Sequence, residues 1–178
     1  MYKIIAGLLM AFISLNAVAL EYPIDKPTIE NGMEIGAVYL QAIEMLPKGM
    51  MLDIKQSDIH LEADIHATQY NPNGFAEGDW IPYLVIYYKI QKMNSTDKAI
   101  EGSLMPMVAS DGPHYGNNVK LNGPGKYALT YTIMPPTAAT PVQFGRHIDK
   151  ETGVGPWFKP FEIHYLFTFA GIGKKGGY

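Results

Sequence analysis

Between residues 32 and 169, apolar side chains recur at every second position in short runs, and they form no sustained stripe at helical spacing. Such alternation turns one face of each run toward a core and the other away, so the chain must be built from strands. Ile81 to Gln91 (IPYLVIYYKIQ) is rich in β-branched and aromatic residues. Tyr127 to Ile133 sets Tyr, Leu, Tyr and Ile against Ala, Thr and Thr, and Phe161 to Phe169 alternates in the same way. Gly32 to Met45 and Asp58 to Thr68 also alternate, and Ile100 to Val108 is a weaker run. Turn residues separate these runs at Asn71-Pro72-Asn73-Gly74, Asn94 to Asp97 and Gly123-Pro124-Gly125. About seven strands at this spacing predict an all-β chain folded as an immunoglobulin-like β-sandwich.

The first nineteen residues have a different character. Lys3 precedes an uncharged apolar run, Ile4 to Leu15, and Ala17-Val18-Ala19 has the small-x-small form of a signal-peptidase site. That run is shorter than the roughly 20 residues a membrane-spanning helix needs. Residues 1–19 are therefore expected to be a cleaved signal peptide and residues 20–178 a single domain acting outside the cytoplasm. The C-terminal Lys174 to Tyr178 is expected to fray. A net charge of -3 offers no footprint for nucleic acid. The chain has no Cys, which removes disulfide scaffolds, thiolate catalysis and bacterial lipidation, and any metal must be held by His, Met, Asp or Glu.

Those residue types concentrate in two places. In Asp58-Ile59-His60-Leu61-Glu62-Ala63-Asp64-Ile65-His66, period-two geometry puts Ile59, Leu61, Ala63 and Ile65 on one face and His60, Glu62, Asp64 and His66 on the other. His60 and Glu62 are close enough to converge on one cation, whereas His60 and His66 start roughly 20 Å apart and do not share one. The plainer reading of the polar face is the wet side of an amphipathic strand, although Asp is a poor choice for one. In the second place, Met105-Pro106-Met107 leads into Ser110-Asp111-Gly112-Pro113-His114, read as a strand ending in a stiffened turn and a loop that carries His114. Thioether with imidazole suits copper, whereas hard cations want oxygen. Met105 and Met107 share a face if the strand continues through Pro106, so geometry leaves the choice between them open. His147 lies in an irregular region and means little alone. His164 reads as structural or exposed, and His66 as a residue beside the site or at a second one.

The segments DIHLEADIHA, NGFAEGDWIPYL, LMPMVASDGPHYG, FGRH and ETGVGPWFKPFE, with NGMEIGAVYLQAIEM upstream, together resemble the periplasmic iron-transport protein family associated with bacterial high-affinity iron permeases. The resemblance covers nearly the whole chain after the leader. It implies an immunoglobulin-like β-sandwich that forms a homodimer in the periplasm, binds copper and iron, and supports iron uptake through an inner-membrane permease. It assigns copper to His60, Met107, His114 and His147, with Glu62 as a nearby or movable ligand, and so selects Met107 over Met105. Glu34, Asp64 and Asp111 are candidates for a neighbouring iron site, since oxygen suits iron. The expected role is a metal-binding accessory rather than an enzyme. The alternative is a copper-dependent ferrous-ion oxidase, which the lack of a Cys ligand disfavours.

Overall fold

A computed structural model describes residues 21–137, 141 and 143–172. The expected signal peptide and the expected fraying tail lie outside those residues. The described chain forms nine strands: β1 (Tyr22–Pro23), β2 (Thr28–Glu30), β3 (Met33–Leu40), β4 (Ile59–Ala67), β5 (Val85–Lys92), β6 (Ile100–Ala109), β7 (Gly112–Val119), β8 (Gly125–Met134) and β9 (Phe161–Phe169). One 3-10 turn, Ile54–Gln56, is the only helical element among the described residues. No helix there is long and apolar enough to cross a membrane.

All pairings are antiparallel, in the order β1-β3-β4-β7-β6-β5-β8-β9, with β2 also on β3. The chain is thus all-β, as its alternation required. The sandwich is one curled sheet whose two layers are joined through β6. Ile100 to Leu104 of that strand pairs with β5, and Met105 to Ala109 pairs with β7. Pro106, which has no N–H to donate, follows directly on this change of partner. Between the layers lie Ile35, Leu61, Ile65, Ile86, Ile90, Leu129 and Ile133, all fully buried. Each such side chain contributes about 1.5–3 kcal/mol relative to exposure. Three buried tyrosines carry their hydroxyls across this core. Tyr131 donates to the Glu62 carbonyl at 2.9 Å, Tyr165 to Ile35 at 2.8 Å and Tyr115 to Ile81 at 2.9 Å.

Three boundaries differ from the sequence expectation. β5 begins at Val85 rather than Ile81, because Pro82 lacks a donor and Tyr83 has a φ of 61° that no strand tolerates. β3 stops at Leu40 instead of continuing to Met45, since the N–H and C=O of Ile43 both bond to the Asn118 side chain and are lost to any ladder. The expected loop carrying His114 is instead β7. Ser110 and Asp111 form a two-residue hairpin turn, with Ala109 paired to Gly112, and the positive φ of 135° at Gly112 accommodates the reversal.

Candidate metal centre

The hairpin changes how His114 is held. Met107 pairs directly with His114, Met105 with Gly116 on the neighbouring strand, and Gly116 with Glu62 of β4. Cross-strand partners project from the same face, so His60, Glu62, His114, Gly116, Asn118, Met105 and Met107 share the outer face of one layer. The reading of that face as a wet surface is overturned. His60 is 0% exposed, and Glu62 and His114 are each 6% exposed.

His60, Glu62 and His114 each offer a ligand atom within 4.8 Å of the others. Glu62 Oε1 stands 3.2 Å from His114 Nε2 and 3.5 Å from His60 Nε2. The other ring nitrogen of His60, Nδ1, is 3.0 Å from Asn118 Oδ1. An amide oxygen only accepts, so Nδ1 carries the proton and Nε2 presents a lone pair. That atom is buried and has no hydrogen-bond partner, since its 3.5 Å approach to Glu62 is too long to serve as one. A buried nitrogen lone pair without a partner, facing the Glu62 oxygen and a second imidazole, is an arrangement that a metal cation would satisfy.

The thioether comes from β6. A Cβ added to Gly116 would stand 2.5 Å from His60 Nε2 and 3.1 Å from Met107 Sδ, so both atoms border the space above this glycine. Met107 rather than Met105 supplies the sulfur that reaches there. Two imidazoles and a thioether around a small buried gap are the borderline and soft donors that copper takes, with the carboxylate as a harder neighbour, and the residues present fit that ion.

Burial shapes the electrostatics. It pushes His60 down to about 4, an effect the Asn118 hydrogen bond opposes and nearby His114 reinforces, so His60 is neutral and able to ligate at neutral pH. Burial also lifts Glu62 to about 8, helped by repulsion from Asp64, Glu21 and Asp111. Those acids line an adjoining cavity of about 270 Å³ together with Glu62, His66 and His114. Burial raises Asp64 above the usual carboxylate range. Burial followed by a side-chain hydrogen bond to Asp111 raises Glu21. Asp64 and Asp111 thus line the cavity beside the cluster, whereas Glu34 is exposed on β3 and does not.

Two histidines lie apart from this cluster. His147 sits on an exposed segment with its side chain 73% accessible, Nδ1 2.7 Å from Thr152 Oγ1 and 3.7 Å from Asp149 Oδ2. Within one chain it does not join His60, Glu62 and His114. His164 is exposed and bonded to Thr130, which fits its reading as a structural or exposed residue. Sequence reasoning missed Gly116, Asn118 and Glu21. A glycine inside a strand pattern points to a close approach, and alternation from His114 through Gly116 to Asn118 would have found both once β7 was recognised. Glu21 reaches the site only through the fold.

The family model described as Fe2+ transport protein matches residues 18–171. A UPF0423 protein of Brucella abortus is 60% identical over 163 residues, covering 92% of this chain and 89% of that protein. The 34 kDa membrane antigen of Treponema pallidum is 37% identical over 145 residues, covering 79% of this chain and 69% of the antigen. Copper-reconstituted P19 of Campylobacter jejuni has the same fold, with a TM-score of 0.81 at 52% identity, covering 86% of this chain and 99% of P19. FetP of uropathogenic Escherichia coli strain F11 gives 0.80 at 52% identity, with coverages of 86% and 99%.

Proposed function

The chain belongs to the Fe2+ transport protein family, and from that premise we propose that it is a periplasmic copper- and iron-binding protein that handles iron for an inner-membrane permease. The carrying observation is the buried, unpartnered Nε2 of His60, facing Glu62 and His114 beside Met107 Sδ. Copper bound there would be held by His60, His114 and Met107, where the mixed donors tolerate both of its oxidation states. His147 is too exposed to serve its own chain's cluster, and in this reading it completes the copper site of a second copy in a homodimer.

Iron is the cargo. The cavity beside the copper ligands offers it oxygen from Glu21, Asp64 and Asp111, and Glu62 borders both places. In this reading Glu62 turns between them, and its proton leaves when a cation enters, since burial holds that proton at neutral pH. The protein binds and passes iron without covalent chemistry.

The test loads purified protein with each ion and records anomalous scattering at the copper and iron edges, alongside copper titrations of Met107→Ala and His114→Ala. Copper should lie at His60, with iron among the acids, and both substitutions should weaken copper binding. Unchanged copper affinity in both variants removes the proposed site. Loss of ferrous ion well beyond one equivalent under oxygen replaces the carrier with an oxidase.

A further inference from the structure

The 41–57 segment crosses the end of the face that carries the metal ligands, and one side chain connects the two. Asn118 Nδ2 donates to the carbonyls of Ile43 and Leu52, both at 2.9 Å. Its Oδ1 accepts from the Ile43 N–H at 3.2 Å and lies 3.0 Å from His60 Nδ1. This pattern has a single solution, because carbonyls cannot donate and a backbone N–H cannot accept. The amide orientation is therefore fixed from the segment side, and it dictates that His60 presents Nε2 as a lone pair. Asn118 is itself 2% exposed, so water does not compete for these bonds. Among the described residues, the hydrogen bonds that join residues 42–52 to the rest of the chain all run to this amide.

We propose that Asn118 is a positioning residue that presets the His60 tautomer for metal and couples occupancy of Nε2 to the seating of residues 42–52. With Nε2 coordinated, Nδ1–H becomes a stronger donor, the amide is polarised further, and its bonds to Ile43 and Leu52 tighten. The coupled segment carries Met45, Met50 and Met51 around a cavity of about 510 Å³. Metal occupancy thus changes the order of a methionine-bearing surface that itself contributes no ligand atom to the cluster.

The inference rests on the reading of His60 as a copper ligand, and the experiment separates the two. Imidazole nitrogen shifts of metal-free wild-type protein should show His60 protonated at Nδ1, and copper should slow amide exchange across residues 42–52. The opposite tautomer, or exchange indifferent to copper, overturns the proposal without recourse to any variant. Asn118→Leu removes both halves of the link. His60 should then populate both tautomers, copper affinity should fall about ten- to a hundredfold, and copper should no longer slow exchange in the segment. Asn118→Asp keeps an acceptor for His60 and Ile43 N–H but cannot donate to the two carbonyls. It should hold copper within about threefold of wild type and still lose the copper effect on exchange. Equal copper affinity in the two variants would mean a merely structural asparagine and refute the presetting of His60, and a copper effect on exchange that survives in either variant would refute the coupling. Copper affinity unchanged in His60→Ala removes the underlying site instead.

Discussion

Gly116→Ala removes no ligand, yet it should abolish tight copper binding. The added methyl carbon would lie 2.5 Å from His60 Nε2, 3.0 Å from His60 Cε1 and 3.1 Å from Met107 Sδ. Ordinary contacts begin near 3.5 Å, so the ring and the thioether must both retreat. First-row ions bond imidazole nitrogen at about 2.0–2.1 Å, with zinc as the yardstick, which sets the methyl in the space an ion on Nε2 would need. His60 cannot swing away freely, because it is fully buried and tied to Asn118. Overpacking of this kind costs about 1–3 kcal/mol of stability in the metal-free protein. Copper affinity should fall by more than the about 10–100-fold that follows loss of an outer partner. Urea denaturation of the metal-free variant measures the first quantity, and competitive copper titration the second. A Gly116→Ala protein that is folded and binds copper as wild type does would show that the metal is not held above Gly116, and the ligand set would have to be redrawn.

Stability of the metal-free protein should fall as pH rises from 6.5 to 8. Glu62 keeps its proton in the folded state up to about 8, whereas an unfolded glutamate sheds it near 4.5, so the folded state binds more protons throughout this window. The loss is about 2 kcal/mol over that interval. Below 6.5 His60 acts in the opposite direction, since its folded value of about 4 means that the unfolded chain takes up the proton first, and the two effects offset each other. Urea titrations at pH 6.5 and 8 should show this slope in wild type and not in Glu62→Gln; equal slopes refute the assignment of that proton. Because the His147 side chain is exposed, His147→Ala should change chain stability by no more than about 0.5 kcal/mol. It should nevertheless weaken copper binding, because in the proposed reading His147 completes the site of a second copy. Copper affinity unchanged in His147→Ala, by competitive titration, would refute its part in the site. Tyr131→Phe, which frees the buried Glu62 carbonyl, should cost about 1–3 kcal/mol by thermal denaturation and leave copper affinity near wild type.

Much of the architecture was legible because it rests on local rules. Alternation along Ile59 to Ala67 determined which side of β4 would enter the core, and it put His60 with Glu62 before any contact was known. Absence of Cys confined the ligands to imidazole, thioether and carboxylate. The same local rules misjudged His114, because an Asp-Gly-Pro stretch reads as loop while a two-residue hairpin uses the same residues to start a strand. They also left open whether the polar face of β4 was wet, since burial there depends on residues 41–57 and on β7, which arrive from elsewhere in the chain.

By itself, then, the sequence determined the strand pattern, the chemical types available to hold a metal, and the pairing of His60 with Glu62, because each depends only on spacing along a strand. Tertiary structure decided that Met107 rather than Met105 meets that pair, that Gly116 leaves the room for it, and that Asn118 orients His60. It also brought Glu21 to the acids beside the site. Those outcomes follow from strand register and from which surfaces cover one another, and neither quantity is set by neighbours in the sequence.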